Sequence, residues 1–319
     1  MRLLKELTGA ALASCAALVC TTALTASPAA AEDKQYTIAM ITHAQPGDTF
    51  WDIIRKGAAA AAKKDNIKLI YFADPTAAKE AQLISNVVQQ HVDGIALTLA
   101  FPDAMAKNVK EAQDAGIPIV GFNAGGDDWK KAGLLMYVGQ DENIAGQAVG
   151  DRLNKEGAKN VVCVDQQQGA VQLEERCDGI KSSFKGSFQI LYTTGYDMPT
   201  VKSRVQAKLQ QDPTIDYVVT LGAPFAPAVL DGISGADSKA KLGTFDLTPE
   251  AVKLIQQGKL QWAIDQQPYV EGYEAVDLLW LHLTNGDVVG GGGPVLTGPA
   301  FVTKDNVDAV AKFAKAGTR

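Results

Sequence analysis

The sequence predicts an α/β fold made of two doubly wound parallel-sheet lobes. Short β-rich apolar runs alternate with amphipathic stretches from residue 36 onward, and this alternation restarts near Gly139. Strands that alternate with helices form βαβ units and parallel sheets. The predicted strands are too many for one compact sheet, so two lobes fit the chain of 319 residues better.

The first half of the pattern contains four predicted strands with three helices between them. In the second helix, Ala77, Ala81 and Ile84 recur at helical spacing, and Asp74 and Pro75 are suited to its first turn. The predicted strands are Tyr36–Ile41, Lys68–Phe72, Gly94–Leu99 and Ile117–Phe122, and the helices are Phe50–Lys64, Thr76–Gln90 and Asp103–Ala115.

A strand at Leu134–Val138 precedes the restart, and the same alternation then repeats. The last long helix, Pro268–Asn285, is closed by Gly286. The other predicted helices are Asp141–Lys155, Val171–Phe184, Pro199–Gln210, Pro224–Ile233 and Pro249–Gln257. The other predicted strands are Asn160–Asp165, Gln189–Tyr192, Asp216–Leu221, Leu242–Thr244 and Leu260–Ile264.

Residues 1–31 have the pattern of a secretory signal peptide. Arg2 and Lys5 precede an apolar run over residues 7–24, and Ala29 and Ala31 form an A-x-A cleavage signal. A membrane anchor is the alternative, but Thr and Ser interrupt the run and its small-residue end fits cleavage. We therefore expect export to a periplasmic or extracytoplasmic location, with lipid anchoring at Cys15 as a variant.

The remaining cysteines and the histidines give no metal-ligand spacing. Cys163 and Cys177 would remain after cleavage, either as a disulfide or as two buried thiols. The histidines lie far apart and away from both cysteines, so we expect no bound metal. An excess of 36 acidic over 30 basic side chains also argues against nucleic-acid binding.

Polar and aromatic residues follow the predicted strands at their carboxyl ends, where open parallel sheets bind ligands. Carboxylate and amide groups can pair with vicinal hydroxyls, each of which is both donor and acceptor. These segments include His43, Asp48-Thr49-Phe50-Trp51, Asn123, Asp165-Gln166-Gln167-Gln168, Tyr196-Asp197, Phe245-Asp246 and Asp265-Gln266-Gln267. They are poor in nucleophiles beside a base, so we expect no catalytic residue and no enzyme.

Each candidate also has a purely structural interpretation. Phe50 and Trp51, the adjacent aromatic pair at a helix start, would suit a sugar ring but also a hydrophobic staple. Asp48 and Asp246 each precede a helix and could be its N-cap. Arg176 could bind oxygens in bidentate fashion or form a surface ion pair with a neighbouring acid.

The order and spacing of several segments resemble the ribose-binding-protein class, the exported receptors of bacterial ABC sugar importers. The resemblance covers about residues 36 to 310, and it depends on the set rather than on one motif. It is carried by the aromatic pair after the first strand, Gly139-Gln140-Asp141, Arg176 before Gly179, Thr244-Phe245-Asp246 and Asp265-Gln266-Gln267-Pro268.

The resemblance implies a periplasmic binding protein-like I fold with three hinge crossings. We expect them near Gly139, near Gln267 and in Gly290-Gly291-Gly292-Gly293. Residues 32–138 and 268–293 would then form the N-terminal lobe, and residues 139–267 and 294–319 the C-terminal lobe.

The resemblance also implies a ligand site with eight residues. The sequence departs from the family at Asn123-Ala124, where relatives carry an Asp-Arg pair, and at Gly222 or Ala223, where they carry Asn. Ribose itself is therefore a doubtful ligand. The expected ligand-binding residues are Asp48, Phe50, Trp51, Asn123, Arg176, Tyr196, Asp246 and Gln266.

The sequence therefore predicts a monomeric solute receptor that closes on a monosaccharide or polyol without a cofactor. Its expected partner is the membrane permease of an ABC importer. The alternative is an exported receptor for a signalling molecule or nucleoside that feeds sensing or chemotaxis. A nucleotide-dependent dehydrogenase would need G-x-G-x-x-G after the first strand, where this chain has Gly47-Asp48-Thr49. A sugar-responsive repressor would need a basic helix-turn-helix where the signal peptide lies.

Overall fold

The computed structural model describes residues 34–319, which form two six-stranded sheets flanked by helices. The strands are β1 (Thr37–Thr42), β2 (Lys68–Ala73), β3 (Gly94–Leu97), β4 (Ile119–Phe122), β5 (Met136–Gly139), β6 (Asn160–Asp165), β7 (Ser187–Tyr192), β8 (Tyr217–Thr220), β9 (Lys241–Phe245), β10 (Trp262–Asp265), β11 (Val295–Leu296) and β12 (Ala300–Thr303). The helices are α1 (Phe50–Lys64), α2 (Ala77–Gln89), α3 (Pro102–Asp114), α4 (Glu142–Glu156), α5 (Val171–Ser183), α6 (Met198–Gln211), α7 (Ala226–Gly235), α8 (Pro249–Gln256), α9 (Pro268–Asn285) and α10 (Val307–Ala316).

The first sheet has the strand order β11-β5-β4-β3-β1-β2, and its paired strands are all parallel. Successive side chains of β1 point to opposite faces. Ile38 and Met40 pack into the cluster formed by α1 and α9, whereas Ala39 and Ile41 pack against α2 and α3. Because helices cover both faces, β1 is apolar over nearly its whole length.

The second sheet has the order β12-β10-β9-β8-β6-β7 and is parallel except at one edge, where β12 runs antiparallel to β10. Cys163 in β6 and Cys177 in α5 form a disulfide, which resolves the choice that the sequence left open. The two sheets with flanking helices confirm the predicted α/β fold.

The chain passes between the sheets three times. It leaves the first sheet after Gly139 and returns to it after β10, since the next strand, β11, pairs in the first sheet. The third crossing comes later than predicted: β11 still pairs with β5, so Val295 and Leu296 belong to the first sheet. The run Gly290–Gly293 forms an exposed turn, closed by a hydrogen bond from Gly293 N to Gly290 O, ahead of that strand.

The predicted signal peptide and Cys15 lie outside the described residues. Within residues 34–319, none of the helices is both long and apolar enough to cross a bilayer.

Candidate functional site

A cavity lies at the carboxyl ends of the strands of both sheets. Its volume of about 50 Å³ exceeds what one water molecule needs, on the order of 10–15 Å³. All eight residues expected from the sequence line it. They are Asp48, Phe50, Trp51 and Asn123 from the first sheet's loops and helix α1, and Arg176, Tyr196, Asp246 and Gln266 from elements that follow strands of the second sheet.

The aromatic pair begins helix α1 at the cavity wall. Phe50 and Trp51 are 6% and 5% exposed, and their rings meet edge to face with centroids 5.3 Å apart. Trp51 also makes an edge contact with the His43 ring, with centroids 4.8 Å apart. Both residues belong to the core cluster of α1 as well as to the cavity wall, so the staple and the ligand interpretations apply to the same side chains.

Asp48 joins the start of α1 to the opposite wall. Its Oδ1 accepts a hydrogen bond of 3.0 Å from Phe50 N, so the carboxylate helps to begin the helix. Burial raises its pKa to about 6, although hydrogen bonds from Tyr196, the Phe50 main chain and Trp51 oppose this rise. Burial, followed by the charge of Asp48, raises the pKa of Tyr196. Asp48 from the first sheet's side and Tyr196 from the second sheet's side therefore meet at the cavity.

Arg176 is buried, and its ion pair is not the surface pair that the sequence suggested as an alternative. Its Nε and Nη2 donate to the two carboxylate oxygens of Glu142, each over 2.7 Å, and its Nη1 donates to Leu221 O over 2.9 Å. The guanidinium lies over the Phe245 ring, 4.7 Å from the centroid. These bonds use three of the five guanidinium N–H groups, so two remain for a ligand.

Asp246, Gln266 and Asn123 form a chain of hydrogen bonds along the cavity. Gln266 Nε2 donates to Asp246 Oδ1, and Asn123 Nδ2 donates to Gln266 Oε1 over 3.3 Å and to Glu271 Oε2 over 3.0 Å. Burial raises the pKa of Asp246 to about 7, while the charge of Arg176 and the Gln266 hydrogen bond lower it. The chain leaves further oxygen atoms of these side chains to accept hydroxyl protons.

Asp246 is not the cap of the helix that follows it. Thr248 is the N-cap of α8, and its side chain accepts from Ala251 N. Asp246 instead has a φ of 67°, in the left-handed region that Asp tolerates better than most residues. Asn123 has a φ of 63° and lies at a similar turn after β4. The cap interpretation of Asp246 is therefore wrong.

Several lining residues were not among the eight. His43 and Gln166 follow strands and could have been included on that ground, whereas Gln172 lies inside helix α5. Its spacing of one turn before Arg176 places both side chains on one helix face, which is the signal that could have identified it. The remaining additional lining residues are Gln45, Gln167, Leu173, Leu221, Gly222 and Pro224.

The elements of the two sheets contact each other around the cavity. Val171 N donates to Ala100 O over 3.1 Å, and Gln167 Nε2 donates to Pro75 O over 2.9 Å. Ala100 and Pro75 follow strands of the first sheet, while the two donors follow β6 of the second. The structure therefore represents a closed arrangement of the site.

Carboxylates, side-chain amides, one guanidinium and three aromatic rings surround a small volume. Among residues 34–319, no group of three or more His, Cys, Asp or Glu side chains is arranged to hold a metal ion.

Comparison with protein families and known structures gives consistent matches. Residues 38–287 match the family model described as the periplasmic binding protein domain. The chain is 27% identical over 239 residues to the xylose/arabinose-binding protein XylF of Sulfolobus acidocaldarius, a match that covers 69% of this chain but 59% of that protein. It is 25% identical over 248 residues to the ribose import binding protein RbsB of Bacillus subtilis, covering 76% of this chain and 80% of that protein.

A solved structure is more similar still. It is a carbohydrate transporter from Acidothermus cellulolyticus 11B in complex with myo-inositol, and it has 59% sequence identity and a TM-score of 0.89. The alignment covers 90% of this chain and 100% of that one. The matched family consists of binding proteins with an extracytoplasmic location. This chain belongs to the periplasmic binding protein domain family, within the class whose relatives bind sugars for ABC importers.

Proposed function

We propose that this protein captures a neutral cyclic polyol, with myo-inositol as the first candidate, by closure of two lobes. The observation that carries the proposal is the convergence of eight residues from both sheets on one small cavity. The similarity at 59% identity to a chain that holds myo-inositol supports the cyclitol over a pentose.

The charges at the cavity favour a neutral ligand. Among the described lining residues Arg176 is the one cation, and its charge is already paired with Glu142. Burial, aided by the charge of Arg176, lowers the pKa of His43 to about 3, so this imidazole is neutral. Two acids, Asp48 and Asp246, face the same space. A phosphate or carboxylate would meet repulsion here, whereas hydroxyl groups would meet acceptors.

The proposed mechanism is differential binding of the closed form. Each sheet supplies part of the wall, so a ligand gains contacts in the closed arrangement that an open one lacks. Closure about the three crossings is a hinge motion. In this proposal residues 32–138 with 268–296 form one lobe, residues 139–267 with 297–319 form the other, and residues 1–31 are a cleaved signal peptide. The closed monomer presents its ligand to the membrane permease of an ABC importer.

Isothermal titration calorimetry tests the proposal with myo-inositol, D-ribose, D-xylose, L-arabinose and D-galactose. We expect one myo-inositol to bind per chain, more tightly than any of the pentoses. Trp51→Ala and Asp246→Asn each weaken binding by about tenfold or more, since loss of one buried contact costs on the order of 1–3 kcal/mol. Asp305→Asn, at an exposed position, serves as the control and leaves the affinity unchanged. Absence of heat with all five compounds would overturn the proposal.

A further inference from the structure

A line of buried polar groups connects helix α2 with the cavity. Thr98 Oγ1 lies 2.8 Å from Glu80 Oε1 and 2.8 Å from His43 Nδ1, and it also accepts from His43 N over 3.1 Å. On the other side of the imidazole, His43 Nε2 lies 2.9 Å from Gln172 Nε2. Glu80 and Thr98 are fully buried, and Gln172 is 3% exposed.

With the Gln172 amide nitrogen facing His43 Nε2, the donors and acceptors in this line follow a single direction. The Gln172 amide nitrogen is a donor, so His43 Nε2 accepts and the imidazole proton lies on Nδ1. Thr98 Oγ1 then accepts from both the main-chain N–H and the Nδ1–H of His43. Both of its lone pairs are used, so its hydroxyl proton goes to Glu80 Oε1.

The protonation states agree with this direction. Burial lowers the pKa of His43 to about 3, which keeps the ring neutral. Burial raises the pKa of Glu80 to about 8, while the hydrogen bond from Thr98 lowers it, as expected when the Thr98 hydroxyl donates to the carboxylate. Glu80 Oε2 has no hydrogen-bond partner among the described residues, which leaves Oε1 as the acceptor for Thr98.

Gln172, at the end of the line, has a side-chain oxygen that is available to a ligand. Gln172 lines the cavity, and its buried Oε1 has no hydrogen-bond partner among the described residues. A buried carbonyl oxygen without a donor costs about 1–3 kcal/mol, which a ligand hydroxyl would recover.

We propose that Gln172 is a further ligand-binding residue and that Glu80 positions it through this buried relay. The relay holds the amide nitrogen against His43, so the carbonyl oxygen is left to accept a hydroxyl proton of the bound polyol. This inference rests on the proposed function for its ligand. It adds a requirement for a hydroxyl donor at one position of the ring.

Loss of Glu80 as an acceptor reverses the relay. In Glu80→Leu the Thr98 hydroxyl turns to donate to His43 Nδ1, and the imidazole proton moves to Nε2. Two donors then oppose each other at Gln172, whose amide must rotate and present its NH₂ group to the cavity. Glu80→Gln retains a side-chain carbonyl that accepts from Thr98 and therefore keeps the original direction.

The test combines ¹⁵N NMR of the histidines with calorimetry of myo-inositol binding. His91→Asn and His282→Asn variants assign the His43 resonances. We expect the neutral Nδ1–H tautomer in the wild type and in Glu80→Gln, and the Nε2–H tautomer in Glu80→Leu. Because Gln172 lies in α5 beside the second sheet, the tautomers are compared in protein saturated with myo-inositol, where the closed site keeps Gln172 against His43.

In calorimetry, we expect Gln172→Leu and Glu80→Leu each to weaken binding by about tenfold or more, as for a lost buried hydrogen bond. In the double variant the two losses do not add, because Glu80 acts through Gln172. Glu80→Gln rescues the affinity. Ser85→Ala, which removes a buried hydroxyl of α2 that bonds Glu111 instead, is the matched control and binds as the wild type does.

Wild-type affinity in Gln172→Leu, additive losses in the double variant, or an Nε2–H tautomer in the wild type would each overturn the inference. Thr98→Val provides a second break in the relay if Glu80→Leu fails to fold, and we expect it to weaken binding in the same way. If the wild type itself bound no polyol, the proposed function would fail, whereas the effect of Glu80→Leu on the His43 tautomer in free protein would still test the Glu80–Thr98–His43 part of the relay.

Discussion

The Arg176 guanidinium is held by protein groups on three of its N–H bonds before a ligand arrives. Glu142 accepts two of these bonds and Leu221 O accepts the third. A side chain fixed in this way loses little rotamer entropy on binding, which favours a preorganised site. Because a buried ion without a partner is costly, the folded state depends on Glu142 to compensate the buried charge of Arg176.

Glu142→Gln is expected to destabilise the protein by about 3–5 kcal/mol, the cost of leaving a buried charge without its partner. Urea unfolding followed by circular dichroism measures the change in the free energy of unfolding. Asp114→Asn breaks an exposed ion pair with Lys110 and serves as the control, with an expected loss under about 1 kcal/mol. Equal stability of the two variants would contradict the role assigned to the buried pair.

Two other cavity residues illustrate what sequence reasoning can and cannot determine. Asn123 and Asp246 were identified by their position after a strand, and both line the cavity. Their left-handed backbone and their shared contact with Gln266 depend on how β4, β9 and β10 converge. Gln266 lies 143 positions from Asn123 and 20 positions from Asp246, so no local pattern reveals these contacts.

At the scale of elements, α9 is the helix that returns from the second sheet to cover the first. It packs on α1 at a close approach of two backbones, with Gly57 and Gly272 at the contact. A Cβ atom on Gly272 would lie 2.1 Å from Ile54 O, well inside van der Waals contact. A side chain there would force the two helices apart.

Gly272→Ala is therefore expected to lower the free energy of unfolding by about 1–3 kcal/mol or more, as overpacking does in well-packed cores. Gly293→Ala is the matched control, because its added Cβ would meet its nearest neighbour at 3.4 Å. Thermal and urea unfolding of both variants measure the difference. If Gly272→Ala were as stable as the control, the close packing of α1 against α9 would be wrong.

The long periodic elements were predicted from sequence, and the short ones after α9 were not. Strand β11 has two residues and follows an exposed glycine turn, so it carries no readable alternation. Strand β12 is held by its pairing with β10, which a local pattern does not record. Helix α10 does carry a readable pattern that the prediction missed, because Val307, Val310, Ala311 and Ala314 recur at helical spacing and pack against the core. The third crossing was expected at the glycine run for the same reason: the sequence shows the four glycines, but it does not show that β11 pairs with β5 after them.

At the scale of the whole molecule, the site is built from two sheets that meet at their carboxyl ends. The alternation of strands and helices in the sequence predicted this edge as the ligand-binding edge, and the eight expected residues do converge there. The closed contacts and the Glu80–Gln172 relay follow from the approach of α2, β3 and α5 in space. These elements are separated in the chain, so their juxtaposition is visible only in the structure.

A crystal structure of the protein grown with myo-inositol tests the central claim most directly. The account predicts one ring in the cavity, with hydroxyl oxygens within about 3.2 Å of polar atoms of Asp48, Arg176 and Asp246, so that both sheets hold the ligand. A ligand found outside this cavity, or one that contacts residues of a single sheet, would contradict it.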